Sequence, residues 1–359
     1  MRKVARLENM TDKNEKEAVQ DNNTIQIPNY SKITIGDVAK ALGISKTTVS
    51  RAISGKGRIG EATRQKVMEY ISEHHYQPSS MAKGLANSKN YNIGWIIPGE
   101  ASATDLLFFQ RCMMGVSEVA AQEDYDLLIT MVFDDDLTQL ERVVRNRKID
   151  GFVVGRTLIK DPTVTFLKEA NIPFVVIGSS PDEDVVQIDN DHLNACRELT
   201  SILIDQGIRK PLLVGEDEKQ VVNQSRKKGY LLGLESHGIQ PDSRYLYMNC
   251  DTEERLREIV RRIRNEETDC IVCIDERVCS EVVNRLYKEE IHVPEDVKLA
   301  SFYSSKVIDD EKSHVTALRY DPKELGSVAC KLLFEYMNGN EIHKKTLLGC
   351  EVVLKESTN

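Results

Sequence analysis

The sequence predicts a chain of two parts, a small all-α unit followed by a larger α/β body with two doubly wound parallel sheets. Residues 34–54 contain two short amphipathic helices that meet at a single glycine. From residue 92 onward, short apolar runs alternate with longer amphipathic helices, the pattern of parallel strands covered by helices on both faces. The alternation begins a second time after about residue 190, and a chain of 359 residues can hold both series.

The first helix of the small unit is predicted over residues 35–42. Thr34 precedes this helix and can cap its first backbone N–H groups. The apolar face consists of Val38, Ala39 and Leu42. Gly43 then provides a tight corner between the two helices.

The second helix is predicted over residues 46–54, with Ser45 as its cap. Its apolar face consists of Val49, Ala52 and Ile53, and its open face carries Lys46, Thr47, Ser50 and Arg51. Small polar and basic side chains on such a helix can reach base edges and phosphates in the DNA major groove. Taken alone, the segment is also compatible with a helical hairpin whose polar face is merely solvated, although this is the less favoured interpretation.

A third amphipathic helix, predicted over residues 61–74, supplies Val67, Met68 and Ile71 to a three-helix core. The small unit also carries a set of short motifs at regular spacing. They are Asp37-Val38-Ala39, Gly43-Ile44-Ser45, Thr48-Val49-Ser50-Arg51, Thr63-Arg64 and Tyr76-x-Pro78. On these residues the chain resembles the lactose-repressor (LacI) family of bacterial transcriptional regulators. The resemblance implies an all-α helix-turn-helix DNA-binding headpiece over residues 34–78.

The same resemblance implies a hinge over residues 79–90 and a double-stranded DNA partner. Residues 79–86 are too few to form a stable helix alone, and in the family this helix folds on DNA beside its dimer mate. Leu85 would then enter the minor groove and kink the duplex. The implied DNA contacts are Thr34, Ser45, Lys46, Thr47, Thr48, Ser50, Arg51, Lys56, Tyr76, Ser79, Ala82, Lys83 and Leu85. We expect a homodimer formed through the body and a palindromic operator.

The charge distribution agrees with this division of the chain. Residues 31–90 contain ten lysines and arginines against four acidic residues, a net charge of +6. The whole chain has a net charge of −9, so the remainder is near −15. A local basic patch binds phosphates by releasing condensed counterions, whereas the acidic remainder is expected to avoid DNA.

The body is predicted in two series of strands and helices. The first has strands near residues 93–97, 126–130, 151–154, 173–177 and 185–188, and helices near 107–121, 137–147 and 162–170. The second has strands near 211–214, 245–248, 270–274 and 297–300, and helices near 192–206, 219–237, 252–264 and 276–290. By resemblance they form an α/β two-lobed, periplasmic-binding-protein-like core over residues 91–359.

In that family plan the chain crosses between the lobes near residues 188–191, 316–321 and 338–342. Lobe 1 then comprises residues 91–188 and 320–338, and lobe 2 comprises residues 189–318 and 341–356. Helix 322–337 is expected to return to lobe 1, and the final strand, 350–354, to lobe 2.

A small-molecule effector is expected between the lobes, because open parallel sheets bind ligands at the carboxyl ends of their strands. By resemblance Arg226 donates hydrogen bonds to the effector and Asp275 accepts them, although side chains at strand ends are often simply solvated or ion-paired. Asp105, Phe109 and His192 complete the expected effector contacts. A sugar or sugar derivative is the expected effector, with a nucleobase or another small metabolite as the alternative.

The chain departs from the family around this cleft. Leu106-Leu107 replaces an Asn-Pro pair before Phe108-Phe109, and Asp105 stands where a ligand-contacting serine is frequent. Ser301-Phe302-Tyr303-Ser304 stands where Gly-Phe-Asp-Asp is common, so a pair of carboxylates is missing. These departures leave the chemical class of the ligand open.

Other classes of protein fit the sequence less well. The doubly wound core could belong to an enzyme, but the chain lacks the nucleotide-binding, nucleophile-elbow and zinc-protease motifs, and neither catalysis nor a cofactor is expected. A solute-binding transport protein would carry an export signal and no headpiece. Cys270-x-x-Cys273 has zinc-like spacing, but a strand would direct the two thiols to opposite faces, so no metal site is expected.

The remaining expectations concern the chain's location and its first residues. No segment has the length of apolar sequence that a membrane span or a signal peptide needs, so we expect a cytoplasmic protein without a membrane partner. Residues 1–33 are polar, charge-balanced and without apolar period, which is typical of a disordered extension. This segment is either a regulatory arm or the product of a start codon assigned too early.

Overall fold

The computed structural model describes residues 33–55, 57–74, 76, 89–101, 103–133, 136–215, 218–240, 242–248, 253–305 and 314–359. The chain divides near residue 82 into two compact units. Some of the expectations above lie outside the described residues. They are the extension over residues 1–32, the hinge helix over residues 79–86, and the DNA contacts of Lys56, Ser79, Ala82, Lys83 and Leu85.

Three helices form the first unit. They are α1 (Ile35–Leu42), α2 (Lys46–Ser54) and α3 (Glu61–Glu73), so the predicted bounds of α1 and α2 are confirmed. Thr34 Oγ1 accepts a hydrogen bond from the Asp37 backbone N–H at 3.3 Å, and Asp37 Oδ2 accepts one from the Thr34 N–H at 2.8 Å. This reciprocal capping box fixes the start of α1. Gly43 ends α1 with a φ of 65°, a left-handed conformation that glycine adopts readily.

The three helices enclose a small apolar core. Its buried residues are Val38, Ala39, Val49, Ala52, Val67 and Tyr76. Met68 was predicted to join this core but is 47% exposed, because it follows Val67 and points about 100° further round α3. Tyr76 is 7% exposed and burial raises the pKa of its hydroxyl group. Tyr76 therefore packs in the core of the three helices, and its expected contact with DNA stays a prediction.

The second unit contains the two lobes. Lobe 1 begins with β1 (Asn92–Pro98), α4 (Ala103–Gln122), β2 (Asp126–Val132), α5 (Thr138–Arg145), β3 (Gly151–Val154), α6 (Pro162–Glu169), β4 (Phe174–Ile177) and β5 (Gln187–Asn190). Lobe 2 follows with α7 (His192–Asp205), β6 (Pro211–Val214), α8 (Val221–Ser236), β7 (Leu246–Tyr247), α9 (Glu253–Arg264), β8 (Cys270–Cys273), α10 (Glu276–Lys288), β9 (Lys298–Ser305) and β10 (Thr316–Tyr320). The chain ends with α11 (Pro322–Met337), β11 (Lys345–Leu348) and β12 (Glu351–Val353).

Each lobe is built on one six-stranded sheet. The sheet of lobe 1 has the order β11-β5-β4-β3-β1-β2, and all its strands are parallel. The sheet of lobe 2 has the order β12-β10-β9-β8-β6-β7, and β12 is its one antiparallel strand. The predicted pair of doubly wound parallel sheets is confirmed. Strands β3, β4, β6 and β8 are buried along their whole length, as continuous apolar runs require.

The structure corrects two of the predicted lobe crossings. Residues 316–320 are strand β10 of lobe 2, so the second crossing follows Tyr320. Residues 345–348, assigned from the sequence to lobe 2, form β11 and pair with β5 of lobe 1. The third crossing therefore lies between β11 and β12, at residues 349–350, and not at 338–342. The expected return of helix 322–337 to lobe 1 is confirmed, because its buried residues join the same core as those of α4.

Glycines bring two pairs of helices into close contact. In lobe 1, an added Cβ at Gly115 of α4 would lie 2.0 Å from the Lys323 carbonyl oxygen, and one at Gly326 of α11 would lie 2.0 Å from the Cys112 carbonyl oxygen. In lobe 2, an added Cβ at Gly229 of α8 would lie 2.4 Å from the Leu193 carbonyl oxygen. The backbones of these helices therefore touch where any side chain would separate them.

The described residues contain neither a membrane-spanning helix nor a cluster of side chains suited to a metal ion. Among these residues, no helix is long and apolar enough to span a membrane. Within the same ranges, no three histidine, cysteine or acidic side chains gather in a way that could hold a metal ion. Cys270 and Cys273 both lie buried on β8 with free thiols, and burial raises their pKa values.

Candidate nucleic-acid interface and ligand cleft

The exposed face of α2 carries the polar and basic side chains predicted from the sequence. Lys46, Thr47, Ser50 and Arg51 are all exposed, whereas Val49 and Ala52 on the opposite face are buried. The first turn of α2 contains no acidic residue. The surface therefore presents donors and positive charge without a carboxylate on the same helix, as a phosphate-binding surface requires.

Two other expected DNA contacts, Thr34 and Ser45, act as helix caps. Thr34 Oγ1 donates to Asp37 Oδ2 at 2.7 Å, within the capping box of α1. Ser45 Oγ accepts a hydrogen bond from the Thr48 backbone N–H at 3.1 Å and lies 2.8 Å from Thr48 Oγ1. These hydroxyl groups fix the first turns of α1 and α2. The cap of α2 therefore helps to position the exposed polar and basic face of that helix, which we call the reading face.

A cleft of about 1040 Å³ lies between the lobes of the second unit. From lobe 1 it is lined by residues at or just beyond the carboxyl ends of β1, β3, β4 and β5, and from lobe 2 by residues of α8, by residues that follow β8 and by Tyr303 of β9. The cleft thus lies at the carboxyl ends of both sheets, where the sequence predicted a ligand. Its volume is close to the upper end of the range, about 300–1000 Å³, of pockets that hold small molecules.

Four of the five expected effector contacts line this cleft. They are Phe109 on α4, His192 at the start of α7, Arg226 on α8 and Asp275 after β8. Asp105 lies in the first turn of α4, and its side chain is outside the part that the structure describes. The structure also brings in Asp189, Tyr303 and Tyr320, which the sequence analysis did not propose as site residues.

His192 is the centre of a buried polar network that joins the lobes. Its Nε2 lies 3.3 Å from Asp189 Oδ1 on β5, and its Nδ1 lies 3.1 Å from the Tyr320 hydroxyl at the end of β10. Arg226 Nε donates to the same Nδ1 at 3.5 Å. Because Nδ1 faces two donors, the imidazole proton belongs on Nε2, from which it donates to the Asp189 carboxylate.

Burial and neighbouring charges decide the protonation states of this pair. Burial lowers the pKa of His192, and the positive charge of Arg226 acts in the same direction. Burial opposes ionisation of Asp189, but His192 and hydrogen bonds from Ser179 and Asn190 hold the pKa of its carboxyl group below the usual value. Ser179 alone donates twice to Asp189 Oδ2, from its N–H at 2.9 Å and its hydroxyl at 2.8 Å. We therefore assign a neutral His192 beside an ionised Asp189.

The stability of the body is expected to depend on the protonation of His192. The pKa of His192 in the folded protein lies below the usual value near 6.5, so the unfolded chain binds this proton first as the pH falls. The contribution of the neutral imidazole to the free energy of unfolding is complete above about pH 6.5. Below that pH the free energy of unfolding falls, by at most about 1.4 kcal/mol per pH unit. Urea unfolding of the wild type and His192→Gln at several pH values measures this slope, with the exposed His343→Gln as the control. Equal slopes for the wild type and His192→Gln would contradict the assignment.

Arg226 and Asp275 are held in place by backbone groups. Arg226 Nη1 donates to the Ile274 carbonyl oxygen at 3.0 Å, and its guanidinium lies 5.3 Å from the centroid of the Tyr303 ring. Asp275 caps α10 by accepting a hydrogen bond from the Val278 N–H at 2.9 Å. The Tyr303 ring stacks on that of Tyr320 at 5.4 Å. The cleft therefore offers fixed donors, acceptors and aromatic surface, the combination that binds a polar small molecule.

The sequence of the chain is similar to those of known bacterial regulatory proteins. Residues 34–79 match the family described as bacterial regulatory proteins, lacI family, and residues 200–358 match the periplasmic binding protein-like domain. The chain is 29% identical over 334 residues to the HTH-type transcriptional regulator MalR of Staphylococcus xylosus, covering 91% of this chain and 98% of that one. It is 24% identical over 323 residues to catabolite control protein A of Staphylococcus aureus, covering 88% of this chain and 96% of that one.

Solved structures share the fold. The lac repressor dimer bound to operator and the anti-inducer ONPF superimposes with a TM-score of 0.73 at 19% identity, covering 90% of this chain and 98% of that chain. The complex of the transcriptional regulator CelR with cellobiose gives a TM-score of 0.65 at 22% identity, covering 90% of this chain and 99% of that chain. Both likenesses extend over the headpiece and the two lobes.

Proposed function

Since the chain belongs to the lacI family of bacterial regulatory proteins, we propose that it is a transcriptional regulator whose binding to operator DNA responds to a small molecule. The observation that carries this proposal is the exposed polar and basic face of α2 on a compact three-helix unit. The same chain continues into a body with a ligand cleft. A DNA-binding unit and a ligand-binding body would thus be parts of one polypeptide chain.

The headpiece would bind DNA in two ways. The net charge of +6 over residues 31–90 attracts phosphates whatever the sequence. Side chains on α2 that can donate or accept hydrogen bonds, such as Thr47 and Ser50, would contact base edges in the major groove and supply the sequence preference. The capping of α2 by Ser45 fixes the helix that carries them.

We propose a homodimer and a palindromic operator. One headpiece of this size covers only a few base pairs, and a twofold-symmetric pair of headpieces reads two inverted half-sites. A related structure is described as a lac repressor dimer bound to operator, which supports this arrangement for the present chain. We also propose a cytoplasmic location, because an operator-binding protein acts where the DNA is.

A sugar or sugar derivative is the effector we propose for the cleft. CelR, which shares the fold over 90% of this chain, is described in complex with cellobiose. Arg226 and Asp275 line the cleft from lobe 2 and provide a donor and an acceptor for hydroxyl groups. Closure of the lobes on this ligand would alter the headpiece arrangement, and the ligand acts only through its difference in affinity for the two states. The relatives are regulators, and we propose repression, without catalysis, as the role of this chain.

A test of the proposal is the salt dependence of binding to double-stranded DNA. After selection of a preferred duplex from random sequences, fluorescence anisotropy gives the dissociation constant at several chloride concentrations. Each phosphate contact contributes a slope of about −0.9, so about four contacts predict an approximately tenfold loss of affinity when the salt concentration is doubled. A scrambled duplex should bind more weakly by about a thousandfold.

Two outcomes would contradict the proposed function. One is the recovery of no preferred duplex from the selection. The other is an affinity that does not change with salt, which an enzyme or a transport receptor on the same core would show.

A further inference from the structure

The carboxylate of Asp150 holds the residues where the chain enters the body. It accepts hydrogen bonds from the Asn90 backbone N–H, at 2.8 Å to Oδ1 and 2.9 Å to Oδ2, and from the Tyr91 N–H at 2.9 Å. The Asn90 side-chain amide donates a further hydrogen bond at 2.8 Å. Asp150 directly precedes β3, whereas Asn90 and Tyr91 directly precede β1, with which β3 pairs. These hydrogen bonds, which we call the entry clamp, therefore tie the start of the body to the sheet of lobe 1.

The entry clamp holds Tyr91 in an unusual backbone conformation. The φ of Tyr91 is 57°, a left-handed value that is costly for a residue with a Cβ atom. Its ring lies 5.2 Å from that of Tyr125, which in turn contacts Phe334 in the core of lobe 1. Asn90, one residue earlier, is exposed. Among the described residues of the body, Tyr91 is therefore the first that packs against this core, and the clamp fixes the direction of the chain just before it.

The entry clamp lies at the opposite end of β3 from the ligand cleft. All residues of β3 are buried, and Gly155, Arg156 and Thr157, which follow it, line the cleft. A strand of this length spans about 13 Å, and β3 is paired with β1 on one side and with β4 on the other. A displacement of lobe 1 at the cleft is therefore carried to Asn90 through a continuous buried strand.

Lobe 2 contains an equivalent clamp at a place that does not lead to the headpiece. Asp269 directly precedes β8, and its carboxylate accepts hydrogen bonds from the Arg209 N–H at 2.7 Å and the Lys210 N–H at 2.9 Å. These two residues directly precede β6, the strand that pairs with β8, and neither has a positive φ. The chain before them comes from α7 of the same lobe. Asp150 and Asp269 are both half-buried, so the two clamps differ mainly in the segment that each one holds.

From this comparison we propose that Asp150 is a positioning residue for DNA binding, which fixes the direction in which the chain leaves lobe 1 toward the headpiece. This inference rests on the proposed function, in which two headpieces bind two half-sites at one separation. A fixed direction at Asn90 keeps the second headpiece close to its half-site once the first is bound. Loss of the clamp would let the chain take many directions there, and the effective concentration of the second headpiece at its half-site would fall.

The test compares Asp150→Asn with Asp269→Asn in the full-length protein. Each variant removes one negative charge and replaces an accepting oxygen by an amide nitrogen, which is itself a donor. Anisotropy titration gives the dissociation constants for the preferred and the scrambled duplex, and their ratio does not depend on the fraction of folded protein. We expect Asp150→Asn to reduce this ratio about tenfold, because binding to the preferred duplex alone weakens. Asp269→Asn should keep the wild-type ratio within about twofold.

A milder variant keeps the proposal testable if Asp150→Asn folds poorly. Asn90→Ala removes only the side-chain hydrogen bond to Asp150, and it does so at an exposed residue. We expect it to reduce the ratio of the two dissociation constants about threefold. Asn265→Ala is the matched control, because it removes a hydrogen bond between the side chains of Asn265, which is also exposed, and Glu267 in lobe 2. It should retain the wild-type ratio.

Three results would overturn the proposal. The first is a wild-type ratio in both Asp150→Asn and Asn90→Ala. The second is an equal reduction in Asp150→Asn and Asp269→Asn, since a general loosening of the body would then be sufficient. The third is an equal loss of affinity for both duplexes in Asp150→Asn, since the headpiece itself would then be impaired.

The failure of this inference can be told apart from the failure of the proposed function. The proposed function fails if selection with the wild type recovers no preferred duplex. If the wild type has a preferred duplex and Asp150→Asn binds it with an unchanged ratio, the protein is still a sequence-specific DNA-binding protein, and only the role of Asp150 is wrong.

Discussion

Replacement of Gly326 by alanine is expected to destabilise lobe 1 by about 3 kcal/mol. The new Cβ would lie 2.0 Å from the Cys112 carbonyl oxygen and within 2.8 Å of the Cys112 Cα. These are backbone atoms of α4, which cannot rotate away as a side chain can. Helices α4 and α11 must therefore move apart, and the packing of the buried residues between them, such as Leu325 and Ala329, is lost.

Urea unfolding followed by tryptophan fluorescence measures this effect. Trp95 is the only tryptophan of the chain and lies fully buried in the core of lobe 1. Gly349→Ala is the control, because its added Cβ meets no atom within 4 Å and its backbone is not left-handed. Its unfolding free energy should stay within about 0.5 kcal/mol of the wild-type value. If Gly326→Ala unfolded at the same urea concentration as the wild type, helices α4 and α11 could not be in backbone contact at this position.

Replacement of Arg51 by alanine is expected to weaken binding to the preferred duplex at least about thirtyfold. Each lost contact to a base or phosphate costs about 1–3 kcal/mol, and a dimer would lose the contact in both half-sites. Arg51 is exposed on the reading face of α2, whereas the adjacent Ala52 is buried. The headpiece should therefore keep its fold in the variant. Anisotropy titration against the preferred and scrambled duplexes measures the loss.

A control is needed for the change in net charge. Lys331→Ala also removes one positive charge, but from the exposed face of α11 in the body. Its dissociation constant should equal that of the wild type within about twofold. If Arg51→Ala and Lys331→Ala reduced the affinity equally, the charge of the whole protein and not the face of α2 would account for binding.

The headpiece could be predicted well from the sequence because its signals are local. Thr34 and Ser45 are caps, Gly43 is a turn residue, and each acts within four positions along the chain. Met68 was assigned wrongly to the core, because which of several apolar residues enters the core depends on how three helices pack. Periodicity along one helix does not contain that information.

The body shows the same contrast between local and long-range information. Continuous apolar strands such as β3 and β8 were recognisable, but β11 is an edge strand in which exposed and half-buried residues alternate. Its partner β5 lies more than 150 residues earlier in the chain, so no local pattern predicted the pairing. This pairing is also the reason that the third crossing was misplaced.

The position of the candidate cleft was predicted from the sequence, but the hydrogen bonds and ring contacts among its side chains were not. Family resemblance placed Arg226, Asp275 and His192 near it, but the role of Asp189 depends on Ser179 and His192 meeting its carboxylate from two other elements. Tyr303 was noted as a departure from the family, and only the structure places its ring against Arg226.

The measurement that tests the central claim most directly is the affinity for the preferred duplex with and without a small molecule that binds the body. The account predicts that a compound which raises the Tm of the wild type, but not that of Arg226→Gln, changes the dissociation constant for DNA by about fivefold or more. Arg226→Gln should bind the duplex and lose this response. If a compound bound in the cleft left the affinity for the duplex unchanged, the cleft and the headpiece would not be coupled, and the account would be contradicted.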